Sequence, residues 1–143
     1  MKISVVIPTY NRADSLAVVL PSLLQQTFPA ESYELLLCDA GSTDGTQELV
    51  KELNDPRLVF TPGENTGRSG ARNRGVREAR GDLILFTDAD IIAEPDLLQQ
   101  HWDFHQRFPG DAVVGCEVQV DTLEEYALYR QDPQRYARHS TNS

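Results

Sequence analysis

The sequence predicts an α/β protein with a mostly parallel sheet that is covered by helices on both faces. Short apolar segments of strand length alternate along the chain with longer segments whose apolar residues recur at helical spacing. The short segments are apolar on both faces, as is typical of parallel strands buried between helices. Right-handed crossovers would then place the carboxyl ends of these strands along one edge of the sheet.

Five segments are predicted as strands because they are short, apolar and rich in β-branched residues or leucine. The first contains Ile-Ser-Val-Val-Ile, and the fourth contains Leu-Ile-Leu-Phe. The predicted strands cover residues 2–8, 33–38, 58–61, 82–87 and 112–120.

Five helices are predicted between and after these strands. The first carries leucine and valine at helical spacing, although Pro21 predicts a kink or an early end. A turn at 41–45 opens the second helix, where Asp44 and Gln47 resemble a capping pair. Pro95 suits the first turn of the fourth helix. The predicted helices cover residues 13–26, a segment after the 41–45 turn, 69–80, 95–108 and 122–130.

Composition restricts the class of partner. The chain has 143 residues, which fits one domain, and its net charge is -9. An acidic surface repels nucleic-acid phosphates, so nucleic-acid binding is not expected. A phosphate-bearing ligand would need local help from a metal ion, a helix N-terminus or clustered arginines.

The cysteines and the apolar segments indicate the compartment. Cys38 and Cys116 both lie in apolar segments and are predicted to be buried free thiols, not a disulfide. No apolar segment is long enough to span a membrane, and the N-terminus enters a strand without a signal peptide. A cytoplasmic location is therefore expected.

Polar clusters follow the first, second and fourth predicted strands, at 9–11, 39–42 and 88–90. Because parallel strands end at the same sheet edge, these clusters are expected to converge there. Asp88 and Asp90 are separated by one residue, so an extended chain can point both carboxylates to one site. Such hard oxygen ligands suit Mg²⁺ or Mn²⁺ carried by a diphosphate. The alternative is that Asp90 caps the next helix and Asp88 is solvated.

Three other patterns have competing interpretations. Asp39 could accept hydrogen bonds from a nucleobase or ribose, or it could simply form a turn. The segment 65–75 combines a glycine-bearing loop with an arginine-rich helix start that favours an anion, or it forms an ordinary solvated basic face. His101 and His105 have a zinc-compatible spacing, but without an evident third ligand a partly exposed helix face is the favoured interpretation.

The order of the motifs resembles glycosyltransferase family 2. The resemblance rests on Val-Val-Ile-Pro-Thr-Tyr-Asn-Arg at 5–12, Asp-Ala-Gly-Ser-Thr-Asp-Gly-Thr at 39–46, the segment 65–75, and Phe-Thr-Asp-Ala-Asp at 86–90. It implies the Rossmann-like GT-A fold of nucleotide-diphospho-sugar transferases. It also implies inverting transfer from a sugar nucleotide, with a UDP-sugar as the default donor, to an unknown glycosyl acceptor, with Mg²⁺ or Mn²⁺ as cofactor.

The resemblance also implies roles for individual residues. Asp39 corresponds to the base-recognising carboxylate. Asp88 and Asp90 match the Asp-x-Asp motif, with Asp90 expected to bind the metal and Asp88 expected to contact the ribose or the metal. The residues expected beside the nucleotide are Pro8, Thr9, Tyr10, Asp39, Asp44, Gly67, Arg68 and Asp88.

Two departures from the family pattern bear on activity. Ala40 stands where the family often has a second acidic residue. The general base lies well beyond the Asp-x-Asp motif in the family, and Glu117 is only a weak candidate for it here. We therefore expect the chain to be a fragment of a longer enzyme. Residues 1–120 would form the donor-binding domain, and residues 121–143 would begin an acceptor region whose remainder is missing. The apolar face of the last helix could then drive dimerisation.

Two other functions compete with a complete glycosyltransferase. A non-catalytic nucleotide-sugar-binding module would also explain the missing base. A nucleotidyltransferase would be expected to carry a glycine-rich loop with Lys or Arg directly after the first strand, where this chain has Thr-Tyr-Asn-Arg, so it ranks last.

Overall fold

The computed structural model describes residues 1–115 and 117–136. The chain packs as two compact units, of which the first is Met1–Pro109 and the second begins at Gly110. The first unit holds the sheet and the convergent polar clusters. Cys116, predicted to be a buried thiol, lies outside the described residues.

The first unit is built on a four-stranded parallel sheet. Its strands run in the order β3-β2-β1-β4, so β1 lies inside the sheet and β4 forms one edge. The mostly parallel sheet and the first four predicted strands are confirmed. The first and last residues of each strand differ from the prediction by at most one position. The strands are β1 (Ile3–Thr9), β2 (Tyr33–Asp39), β3 (Leu58–Pro62) and β4 (Leu83–Phe86).

The five predicted helices are present, with shifted ends. The first helix continues through Pro21 and ends three residues later. The helices are α1 (Ala13–Leu24), α2 (Thr46–Leu53), α3 (Gly67–Glu78), α4 (Leu97–Arg107), α5 (Leu123–Gln131) and α6 (Pro133–Tyr136). Within the described residues, none of them combines the length and the apolar character that crossing a membrane requires.

The fifth predicted strand is wrong. The described residues 112–115 and 117–120 contain no strand, and the sheet takes up no strand from this segment. Val114 is 93% exposed, so the apolar segment does not gain the burial that a core strand would have. An apolar segment forms a strand only where a neighbouring strand satisfies its backbone groups, and the glycine at 115 further weakens strand formation.

The sheet is buried on both faces where β1 and β2 lie side by side. Side chains at alternate positions enter different apolar clusters. Ile3, Val5 and Ile7 pack in the cluster that includes the buried face of α1. Val6 and Cys38 pack in the other cluster, together with Ala71 of α3. Both strands are therefore covered by helices on either side, as predicted.

Helix α3 approaches the sheet at Gly75. A β-carbon at Gly75 would overlap Val6 Cγ1 and would lie 2.9 Å from Cys38 Sγ. Only a glycine therefore allows the helix to lie this close to β1 and β2. Cys38 is a buried free thiol, as predicted, and burial raises its pKa to about 11.

A buried carboxylate fixes the C-terminal end of α3 to the sheet. Glu34 of β2 is 1% exposed and accepts a hydrogen bond from Ser4 Oγ at 2.7 Å. It also accepts hydrogen bonds from the backbone N–H of Arg80 at 2.9 Å and from Arg80 Nε at 2.8 Å. Arg80 directly follows the end of α3 and its cap, so these hydrogen bonds anchor the C-terminal end of the helix to β2.

We expect Gly75→Ala to destabilise the chain. Alanine normally stabilises a helix interior by about 1 kcal/mol relative to glycine. Here the added methyl group meets Val6 and Cys38, and such overpacking costs about 1–3 kcal/mol. Urea unfolding should therefore show a lower free energy of unfolding for Gly75→Ala. The matched control is Asn73→Ala at an exposed position of the same helix, which should leave stability unchanged or higher. A stabilised Gly75→Ala variant would contradict the close approach.

We expect Glu34→Gln to remove a pH-dependent part of the stability. Burial raises the pKa of Glu34, but the hydrogen bonds from Arg80 and Ser4 outweigh it and hold the pKa below its ordinary value of 4.5. The ionised Glu34 therefore contributes stability above pH 4.5, and this contribution is lost as pH falls through the lower folded-state pKa.

Urea unfolding at several pH values tests this expectation. At pH 7 Glu34→Gln should lower the free energy of unfolding by about 2 kcal/mol, the loss typical for hydrogen bonds to a charged group. The difference from the wild type should shrink as pH falls below 4.5. Glu52→Gln, at an exposed position of α2, is the control and should show little effect. A difference that does not change with pH would contradict the role of the Glu34 charge.

Candidate functional site

A cleft opens at the carboxyl edge of the sheet, where the strand order changes direction. From β1 the chain continues outward through β2 and β3, and α3 then returns it to β4 on the other side of β1. Such a switch point leaves a crevice beyond the strand ends, where α/β proteins bind ligands. The cleft has a volume of about 270 Å³. It is lined by Pro8, Thr9, Tyr10, Arg12, Ala40, Asn65, Gly67, Arg68, Ala71, Asp88, Ala89 and Asp90.

The end of β1 brings a buried hydroxyl and an exposed aromatic ring to the cleft. Thr9 is 5% exposed, and its Oγ1 has no hydrogen-bond partner among the described residues. A buried hydroxyl without a partner costs free energy that a hydrogen bond from a ligand would recover. Tyr10 is 50% exposed, so its ring is available for contact with a flat apolar group. Of the polar cluster predicted after strand one, at 9–11, Thr9 and Tyr10 therefore line the cleft, whereas Asn11 does not.

Asp39 ends β2, but its carboxylate serves its own loop. Asp39 Oδ2 accepts hydrogen bonds from the backbone N–H groups of Gly41 at 3.0 Å and Ser42 at 2.9 Å. Oδ1 accepts a hydrogen bond from the Ser42 hydroxyl. Gly41 has φ +86°, which the tight turn requires. The cleft is lined by Ala40 and not by Asp39, so the predicted nucleobase contact of Asp39 stays a prediction.

Asp44 joins the starts of two helices and does not line the cleft. Its Oδ2 accepts a hydrogen bond from the backbone N–H of Ala13, the first residue of α1, at 2.8 Å. Its Oδ1 accepts hydrogen bonds from Thr46, the first residue of α2. The hydrogen bonds from Ala13 and Thr46 lower the pKa of Asp44. The N-cap of α2 is Gly45 and makes no side-chain bond, so the expected Asp44–Gln47 capping pair is not formed.

Asp88 is held by two arginines of α3. Asp88 Oδ1 accepts a hydrogen bond from Arg72 Nη2 at 2.9 Å, and Asp88 Oδ2 lies 3.9 Å from Arg68 Nη1. The two arginines are four positions apart, so they lie on the same side of the helix. Their charges compensate the Asp88 carboxylate inside the cleft of an acidic chain. The positive N-terminus of α3 adds to this local potential because the helix begins at Gly67.

Asp90 offers the carboxylate best placed for a metal ion. It lines the cleft and is exposed, and no ion pair with another described residue engages it. The described part of the chain contains no cluster of three or more His, Cys, Asp or Glu that could hold a metal. One or two carboxylates fit Mg²⁺ or Mn²⁺, which complete their coordination with phosphate oxygens and water. The donor set therefore fits a cation that arrives with a diphosphate.

The structure thus brings together most of the residues predicted to form the site. Pro8, Thr9 and Tyr10 meet the α3 start and the Asp-x-Asp motif in one cleft. Asp39 and Asp44 lie beside the cleft in hydrogen bonds of their own loops. Glu117 is exposed and belongs to the second unit, so its role as general base stays a prediction. His101 and His105 show no third ligand among the described residues.

Arg72 and Asn65 belong to the segment 65–75 that was predicted to favour an anion, but sequence reasoning assigned neither residue a role of its own. Arg72 makes the closest contact to Asp88, and Asn65 lines the cleft beside Gly67. A signal for Arg72 was present, because it follows Arg68 by one helical turn and both would face the same side. No local pattern marks Asn65 as different from any other polar residue of the loop.

Comparison with known sequences identifies the family. A sequence model described as "Glycosyl transferase family 2" matches residues 4–141. A curated relative, the uncharacterized glycosyltransferase YfnE of Bacillus subtilis, is 39% identical over 117 residues. That match covers 80% of this chain but only 30% of the relative's length. The chain therefore spans less than a third of that curated relative.

Solved structures share the fold of the first unit. A crystal structure of S. aureus TarS in complex with UDP matches with a TM-score of 0.71 and 27% identity, over 84% of this chain and 40% of that chain. The mannosyltransferase PcManGT from Pyrobaculum calidifontis, in complex with GDP-Man and Mn²⁺, matches with a TM-score of 0.65 and 27% identity. That match covers 89% of this chain and 37% of that chain. Together with the parallel sheet and its cleft, these matches show that the chain has the GT-A fold and belongs to glycosyl transferase family 2.

Proposed function

We propose that this chain is the donor-binding part of an inverting glycosyltransferase that moves a sugar from a nucleotide-diphospho-sugar to an unknown acceptor. The observation that carries the proposal is the cleft at the switch point, which combines Tyr10, Arg68 and Asp90. These residues supply an aromatic surface, a guanidinium group and a carboxylate. A nucleoside, a diphosphate and a divalent cation require these three kinds of group.

The cleft can hold a nucleoside diphosphate in one orientation. The nucleoside lies against Tyr10 and Thr9, where the unpaired Thr9 hydroxyl gains a hydrogen bond. The diphosphate lies toward the α3 N-terminus and Arg68, where positive potential is concentrated. UDP is the default nucleotide by family resemblance, and TarS, a protein of similar fold, binds it. Asp88, held by Arg72, lines the same cleft, and in this arrangement it accepts a hydrogen bond from a ribose hydroxyl.

A divalent cation at Asp90 would neutralise charge on the leaving diphosphate. We propose Mg²⁺ or Mn²⁺ for this position, and the structure of PcManGT contains Mn²⁺. The protein groups have separate tasks: Asp90 binds the cation, and Arg72 fixes Asp88. A net charge of -9 makes these local cations necessary for binding a diphosphate.

Inverting transfer also needs a base for the acceptor. The acceptor oxygen forms a bond to the anomeric carbon while the bond from that carbon to the diphosphate oxygen breaks. A general base must take the acceptor proton within hydrogen-bond distance. Among the residues that the structure describes, Asp88 and Asp90 are the only carboxylates lining the cleft, and both have other proposed roles. This observation keeps a non-catalytic nucleotide-sugar-binding module as the second candidate function.

Nucleotide binding should depend on the metal through Asp90. Calorimetry with UDP and Mn²⁺ should show binding that is lost in EDTA. Asp90→Asn should weaken it by about tenfold or more, as expected when a metal site loses a charged ligand interaction. Asp82→Asn is the matched control, because Asp82 is an exposed carboxylate just before the opposite end of β4. Equal affinity in EDTA, or equal effects of the two variants, would refute the metal site.

The 143-residue chain should bind donor but transfer sugar poorly or not at all. The reason is that the described residues lining the cleft include only two carboxylates, Asp88 and Asp90, and neither is proposed to act as the base. A transferase assay with a panel of UDP-, GDP- and dTDP-sugars measures this directly, and binding of the same donors is the control. Robust transfer that is abolished by Glu117→Gln would overturn the expectation and make Glu117 the base.

A further inference from the structure

Tyr10 lines the candidate nucleotide cleft, but only about half of its surface is buried. Its side chain is 50% exposed and lies in the short loop between β1 and α1. The backbone fixes the direction of the Cα–Cβ bond and restricts the rotamers of the side chain, so a displaced backbone carries the ring with it. The contacts that hold the backbone of Tyr10 therefore decide where its ring lies.

The backbone is fixed on both sides of Tyr10 by the loop after β2. On one side, the carbonyl of Thr9 accepts a hydrogen bond from the N–H of Ala40 at 2.9 Å. On the other side, the N–H of Asn11 donates to Ser42 Oγ at 2.8 Å. Asn11 Oδ1 in turn accepts a hydrogen bond from the N–H of Thr43 at 2.8 Å. We call the two hydrogen bonds of Asn11, to Ser42 and from Thr43, the loop latch.

The loop latch is itself held firmly. Ser42 donates its hydroxyl to the buried carboxylate of Asp39, whose other oxygen accepts two backbone N–H groups of the same loop. The loop after β2 is thereby a preformed frame at the end of a buried strand. Asn11 connects the more exposed loop that carries Tyr10 to this frame.

Asn11 also requires an unusual backbone conformation. Its φ is +49°, in the left-handed region, where asparagine, aspartate and glycine are the residues best tolerated. Asparagine satisfies both requirements, because it tolerates this φ and its side-chain oxygen accepts the hydrogen bond from Thr43. The chain bends at Tyr10 and Asn11, so a change of backbone conformation at Asn11 would redirect Tyr10.

We propose that Asn11 is a positioning residue that fixes Tyr10 in the nucleotide cleft through the loop latch. The proposal rests on the proposed function in that Tyr10 is taken to contact the nucleoside. Asn11 itself does not line the cleft, and it acts on the ligand only through Tyr10.

Three variants separate the latch from other effects. Asn11→Gly permits the left-handed φ and keeps the backbone N–H that donates to Ser42, but it removes the side-chain acceptor for Thr43 and so breaks that bond of the latch alone. Asn11→Asp keeps both the φ and an acceptor for the N–H of Thr43, so it should rescue the latch. Thr43→Ala is the matched control. It changes the exposed side chain of Thr43, which takes no part in the latch, and it retains the backbone N–H that donates to Asn11 Oδ1.

The first measurement needs no ligand. Nuclear magnetic resonance of ring-labelled tyrosine, with Tyr10 assigned by Tyr10→Phe, reports the environment of this ring in the 143-residue chain. Asn11→Gly should move the Tyr10 ring signals toward the values of an unfolded peptide. Asn11→Asp and Thr43→Ala should leave them at the wild-type positions. Unchanged Tyr10 signals in Asn11→Gly would overturn the proposal.

The second measurement is the affinity for UDP with Mn²⁺ by calorimetry. Asn11→Gly should bind about three- to tenfold more weakly than the wild type, the range that one net hydrogen bond supports. Thr43→Ala should bind like the wild type. Moved ring signals with an affinity equal to that of Thr43→Ala would show that Asn11 has only a structural role, and would also overturn the proposal.

The two measurements separate the failure of the latch from the failure of the proposed function. If the wild type binds no UDP with Mn²⁺, the proposed function fails. The ring signals of Asn11→Gly and Asn11→Asp then still decide whether Asn11 positions Tyr10. If the wild type binds UDP and Asn11→Gly matches it in both measurements, the latch fails and the proposed function stands.

Discussion

The close approach of α3 to the sheet is the constraint on which the site depends. Gly75 and Ala71 allow the helix to lie directly on β1 and β2, and Arg80 then anchors its end to the buried Glu34. With its far end fixed, the helix presents its first turns at the carboxyl edge of the sheet. Arg68 and Arg72 reach Asp88 from there. The positions of the charges in the cleft therefore depend on the packing of α3 against β1 and β2, away from the cleft itself.

The two ends of the sheet have different tasks. At the amino end, Glu34 carries a charge that is buried and fully paired, so it contributes to stability only while it is ionised. At the carboxyl end, the Thr9 hydroxyl is buried beside the cleft without a hydrogen-bond partner among the described residues. Partly satisfied groups cost stability, and proteins retain them where a ligand completes the bonds. This division agrees with the general rule for parallel α/β sheets, in which function gathers at the carboxyl edge.

Much of this arrangement could be predicted from the sequence because it depends on local patterns. Buried parallel strands are apolar throughout, so β1 to β4 and the convergence of Tyr10 with Asp90 followed from the order of the segments. The segment 112–120 has a similar composition, but the described part of the chain gives it no neighbouring strand, and composition alone does not show whether a partner strand exists. The Arg72–Asp88 and Asn11–Thr43 contacts join residues distant in sequence. The turn that Asp39 forms was one of the two predicted alternatives, but the sequence could not decide between them, because a carboxylate that binds a ligand and one that binds backbone look alike in a sequence. For the same reason the role of Asp44 between two helices was not predicted.

The mutual hydrogen bonding of the two loops has a consequence for engineering. The loop carrying Tyr10 and the loop carrying Ser42 are complementary, since each donates hydrogen bonds that the other accepts. A graft of one loop from a relative, intended to change which nucleotide is preferred, would leave the recipient loop with unmatched backbone groups. The two loops form one structural unit, so both would have to be transferred together. Substitutions in one loop should accordingly be found together with compensating substitutions in the other when variants are selected from a library.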